Sequence, residues 1–154
     1  MNYKDDYIKF ILKYLNPIDN PNAILWLLGY AVYVHAIDDI IDEEIPKDSA
    51  KDEFILKNFE FAETVYTNIY YLTYINKLRP LIKMASNTYM DAVQMEKSNE
   101  KWKRDYADVL RTMGNEILLA VIEIERGLNI RREASMELRE LSYKTHHNQV
   151  GAPI

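Results

Sequence analysis

With 154 residues, 48% of them apolar or aromatic, the chain can build one hydrophobic core and is too apolar to remain disordered. Its net charge of −5 and pI near 5.2 argue against nucleic acid as a partner, because a basic surface is what collects phosphates. The absence of cysteine excludes disulfides, thiolate zinc sites and thiol catalysis.

Four glycines and five prolines leave little material for hairpins, and no stretch alternates with period two between turn signals. The opening Met1-Asn2-Tyr3-Lys4-Asp5-Asp6 is polar and acidic where a signal peptide is basic and then apolar, so a cytoplasmic protein is expected. A first helix is predicted over 3–15, with Tyr7, Ile8, Ile11, Leu12 and Leu15 on one stripe. Asn20 and Pro21 suit the N-cap and first turn of a second helix over 21–44. Its apolar run, 23–37, is shorter than the roughly 20 residues of a membrane span. It therefore reads as a buried core helix, and no membrane span is expected.

Pro46 closes that segment. A third helix is predicted over 52–76, with Phe54, Ile55, Phe59, Ala62, Val65, Tyr66, Ile69 and Tyr70 on its buried side. A fourth starts at Pro80 and runs to 97, with Leu81, Met84, Ala85, Thr88 and Ala92 along it. A fifth follows the Ser98-Asn99 cap and reaches 126, where Gly127 stops it. Residues 117–122 of that helix are apolar on all sides and should be the most buried element. A last helix, 131–145, precedes a polar tail over 146–154. The expected fold is all-α: one domain over 1–145, an antiparallel bundle of five to six helices.

The densest charge lies where the second helix ends, in Asp38-Asp39-Ile40-Ile41-Asp42-Glu43-Glu44. His35, Asp38, Asp39 and Asp42 fall at i, i+3, i+4 and i+7 and share a face. Asp38 and Asp42 stand one turn apart, with Cβ atoms about 5–6 Å from each other, and like charges at that spacing repel. Carboxylates at the negative end of the helix macrodipole add a further cost of a few tenths to about 1 kcal/mol each. A hard divalent cation relieves both, and Mg²⁺ is the expected cofactor, held by Asp38 and Asp42 with Asp39 or Glu43. The plain alternative is a solvated helix end. His35 is a candidate to orient one of these carboxylates by hydrogen bonding.

Ligands in a bundle come from facing helices. Asn87, Asp91 and Gln94 share a face on the fourth helix, and Asp108, Thr112, Asn115, Leu119 and Glu123 share one on the fifth. Asp91 and Glu123 are the candidate catalytic partners of Asp38 and Asp42, and Asn115 is a candidate metal ligand, with Glu116 its substitute if the register shifts by one. Lys101, Lys103 and Arg104 are candidates to hold a phosphate group. The twelve tyrosines read either as an aromatic pocket or as core and half-buried surface.

Asp38-Asp39-Ile40-Ile41-Asp42-Glu43 resembles the first aspartate-rich motif of the class I isoprenoid synthases, all-α enzymes that include squalene and phytoene synthases. The resemblance implies that Asp38 and Asp42 ligate magnesium ions holding a substrate diphosphate. Asn115 and Glu123 match the first and last positions of that family's second metal motif, whereas Leu119 stands where the family carries Ser or Thr. The chain is also much shorter than those enzymes. The all-α nucleoside triphosphate pyrophosphohydrolases are similar in size and in the logic of carboxylates on a helix pair, though not position by position.

Three readings follow. The first is Mg²⁺-dependent binding, with cleavage or transfer, of a diphosphate-bearing small molecule. The second is a pyrophosphohydrolase-like activity, and the third a non-catalytic helical accessory or interaction protein whose acidic end meets a basic partner. A homodimer fits the first, because a short bundle with one acidic wall could borrow the other from a second copy.

Overall fold

The computed structural model describes residues 3–16, 19–42 and 51–149, and among the described residues all regular structure is helical. The elements are α1 (Tyr3–Tyr14), α2 (Pro21–Ile41), α3 (Lys51–Thr67), α4 (Ile69–Thr73), α5 (Ile75–Glu96), α6 (Lys101–Arg111), a 3₁₀ turn (Thr112–Gly114), α7 (Asn115–Arg126) and α8 (Leu128–Gln149). They fall into two compact units: Asn20–Ile75, and Met1–Asp19 together with Asn76–Ile154.

In the unit Asn20–Ile75, the Asn20 side chain accepts from the Ala23 N–H at 3.4 Å and Pro21 opens α2, as expected. Trp26, 1% exposed, anchors α2 against α3. Its indole N–H donates to the Val65 carbonyl at 3.0 Å. That carbonyl is open because α3 stops at Thr67, short of the expected 76, so its last turn lacks onward helical donors. Asn68 takes an extended conformation and its side chain caps the Tyr70 N–H at 2.8 Å, starting α4. The apolar periodicity runs straight through this break, and the cap residue wins over it.

The expected burial is only partly met here. Val65 and Tyr70 are buried, but Phe59 and Ile69 are 69% and 64% exposed. α2 is not a wholly buried helix either: Ala23, Ile24, Trp26, Leu27 and Ala36 are inside, while Leu25 and Val32 face outward. At 21 residues α2 is long and apolar enough to cross a membrane by length and composition alone, and 17% of its most apolar window is buried. Core helices and signal sequences meet the same criterion.

In the second unit, all six residues of the 117–122 run of α7 are buried, as predicted. Each such Leu, Ile or Val side chain contributes about 1.5–3 kcal/mol of hydrophobic stabilisation. Gly127 ends α7 at φ +88° and turns the chain directly into α8, which starts at Leu128 where 131 was expected. α8 runs back along α7, fixed by Arg131 to Glu123 (3.5 Å) and Glu116 (2.8 Å) and by Arg139 to Glu116 (3.3 Å). It continues to Gln149, so His146–Gln149 belongs to the helix and not to a tail.

α1 lies on α8 and buries Phe10, Ile11 and Tyr14, with Leu15 just beyond it also buried and Ile8 and Leu12 exposed. α5 begins at Ile75, before the expected start, with Pro80 inside its second turn. Proline there leaves the Asn76 carbonyl without its i+4 donor, a defect tolerated close to a helix start. The predicted fifth helix is divided by the 3₁₀ turn, whose Thr112 and Gly114 are poor helix formers.

Candidate functional site

The acidic end of α2 closes a helix that has no Asp, Glu, Lys or Arg between Pro21 and Asp38. α-Helical geometry persists through the cluster. Asp42 is the C-cap, and its N–H donates to the Asp38 carbonyl at 2.9 Å. Asp38 and Asp42 therefore have the one-turn spacing that the sequence predicts. Asp38 and Asp39 are half-buried, and Asp42 and His35 are exposed. The last turn of α2 carries no basic residue, and carboxylates there lie at the negative end of the helix dipole. Glu43 lies outside the described residues.

Among the described residues no set of three or more His, Asp or Glu side chains is arranged to hold a metal ion. Asp38 and Asp42 supply two hard oxygen donors.

The residues expected on the opposing wall all belong to the other unit. Asp91 is exposed on α5. Asn115 is committed to packing: its Oδ1 accepts from the Tyr7 hydroxyl at 3.1 Å and its amide donates to Ser142 Oγ at 2.8 Å. Glu123 faces Arg131 at 3.5 Å, and Glu116 is held by Arg131 and Arg139. The arginines of α8 are the signal for this role, because in an antiparallel hairpin through Gly127 they fall opposite the acids of α7.

The basic start of α6 is also locally engaged. Lys101 pairs with Asp105 at 2.6 Å, Lys103 with Glu100, and Arg104 donates to the Ser98 carbonyl at 3.0 Å. Hydrogen bonds from Lys103 and Trp102 hold the Glu100 carboxyl below the ordinary carboxylate range.

The tyrosines of Asn20–Ile75 pack against one another and Trp26. Trp26 stacks on Tyr30 and Tyr71, with ring centroids 5.6 and 5.8 Å away, and Tyr66 meets Tyr33 and Tyr71 edge-on. Burial, then the Tyr33 and Tyr71 rings beside it, push the Tyr66 hydroxyl up to about 12, and burial raises Tyr30 as well. Neutral phenols in mutual contact make this a packed aromatic cluster.

One polar cluster escaped the sequence. Tyr14 donates a hydrogen bond to Glu137, which Lys13 also binds at 2.8 Å. Burial and then Glu137 raise Tyr14 to about 12, while Lys13 and Tyr14 lower Glu137. Its partners lie more than 120 residues apart, so no local pattern marks it.

Comparison of the chain with models of protein families, with curated proteins and with solved structures finds no match in any of the three.

Proposed function

We propose that the chain binds a diphosphate ester through Mg²⁺ held at the C-terminal end of α2. The observation that carries this reading is the pair Asp38 and Asp42, one helical turn apart in intact α-helical register at the negative end of the helix dipole. Asp39 is half-buried next to Asp38 in the chain, but the three carboxylates are not arranged as one metal-holding set. Bound Mg²⁺ would supply charge neutralisation for the phosphate oxygens, which is also what a diphosphate leaving group needs. The chain's own part is to keep two hard donors at fixed spacing and to leave the remaining coordination sites to the ligand.

Calorimetric titration of Mg²⁺ into the protein, with and without inorganic pyrophosphate, tests the reading. Binding should strengthen when pyrophosphate is present and should disappear in Asp38→Asn and in Asp42→Asn. Unchanged Mg²⁺ affinity in both variants would eliminate the site and leave the interaction-protein reading in its place. Prenyl diphosphates and nucleoside triphosphates, followed by pyrophosphate release, separate the two enzymatic readings.

A further inference from the structure

The outward face of α3 combines apolar and acidic side chains along one stripe. Leu56 and Phe59 are 63% and 69% exposed. Asp52, Glu60 and Glu63 are exposed on the same helix. The spacing of 52, 56, 59 and 63 alternates between four and three residues, which keeps these positions in one line on the helix, with Glu60 at its flank. Lys57 lies off this line and pairs with Glu53 at 3.7 Å. α3 itself carries four acidic and two basic residues.

An exposed stripe that is apolar at its centre and acidic along its length is complementary to a helix with the opposite charge and the same apolar pattern. We propose that this face of α3 docks a basic amphipathic helix of a partner protein. Leu56 and Phe59 would lie against the partner's apolar side chains, in the manner of helix recognition through i, i+3, i+4 anchors. Asp52, Glu60 and Glu63 would face its lysines and arginines, steering the encounter and excluding acidic partners. The same charges disfavour an anionic lipid surface, which attracts basic segments and repels acidic ones. This inference concerns α3 and is independent of metal binding at Asp38 and Asp42.

The test uses the full chain and two designed fluorescent peptides: an amphipathic helix of leucine and lysine, and the same sequence with glutamate for lysine. The lysine peptide should bind, weaken as salt is raised, and lose about tenfold or more in affinity against Phe59→Ala or Glu60→Lys/Glu63→Lys. These positions are exposed, so circular dichroism of the variants should match the wild type. Equal binding of both peptides, no binding of either, or full binding by the charge-reversed variant would overturn the proposal. So would binding of the chain to anionic vesicles through Phe59, or concentration-dependent self-association abolished by Phe59→Ala.

Discussion

Replacing Trp26 by Phe isolates the contact that joins α2 to the broken end of α3. Trp26 is 1% exposed, and its indole N–H is the donor to a buried carbonyl at Val65. Phe keeps an aromatic ring against Tyr30 and Tyr71 but loses the five-membered ring and the N–H. The smaller ring forfeits about 1–2 kcal/mol in buried apolar area and residual cavity. The Val65 carbonyl, left without a partner, costs about 1–3 kcal/mol. Together the loss should be about 2–5 kcal/mol, a large part of the 5–15 kcal/mol typical of a domain. Urea unfolding followed by far-UV circular dichroism measures it, with Trp102→Phe as the control. Trp102 is 59% exposed, so that change should stay within about 0.5 kcal/mol. A loss below about 1 kcal/mol in Trp26→Phe would refute the claim that this indole closes the end of α3.

Other perturbations follow from the same structure. Gly127→Ala should cost about 1–3 kcal/mol by urea unfolding, all of it backbone strain at φ +88°, because the added methyl meets no atom within 4 Å. Ile122→Ala should cost about 2–5 kcal/mol, since its side chain is 0% exposed in the centre of α7; a loss near zero would remove α7 from the core. Glu137 has its carboxyl lowered from the ordinary 4.5 by Lys13 and then Tyr14, so its contribution is complete above that value and is lost as pH falls through the lowered one. The stability gap between wild type and Glu137→Gln should therefore be present at neutral pH and shrink on acidification below about 4.5, and a gap that widens there would reverse the assignment.

Much of the fold was legible because helix signals are local. Asn20 and Pro21 at the start of α2, the uniformly apolar 117–122 run, and the Gly127 stop are each fixed by a few neighbouring residues, and each appears where expected. Asn68 does not stand out in the sequence because an apolar stripe continues across it, although a side chain able to cap the next turn is itself a local signal. The exposure of Phe59, Ile69, Leu25 and Val32 was not legible, since periodicity identifies an apolar face without saying whether anything covers it.

At the candidate site, the spacing of Asp38 and Asp42 could be read directly, because one continuous helix sets it. The roles of Asn115, Glu116 and Glu123 could not. Their partners Tyr7, Ser142, Arg131 and Arg139 come from α1 and α8, and only the tertiary pairing of those helices decides which polar side chains are engaged.

The most direct test of the metal reading compares urea stability of the wild type and of Asp38→Asn/Asp42→Asn, each with and without Mg²⁺ and inorganic pyrophosphate. The stability of each protein without ligand serves as its own reference. With ligand at a hundred times its dissociation constant the wild type should gain about 2.7 kcal/mol and the variant nothing. An equal gain in both proteins, or none in the wild type, would contradict it.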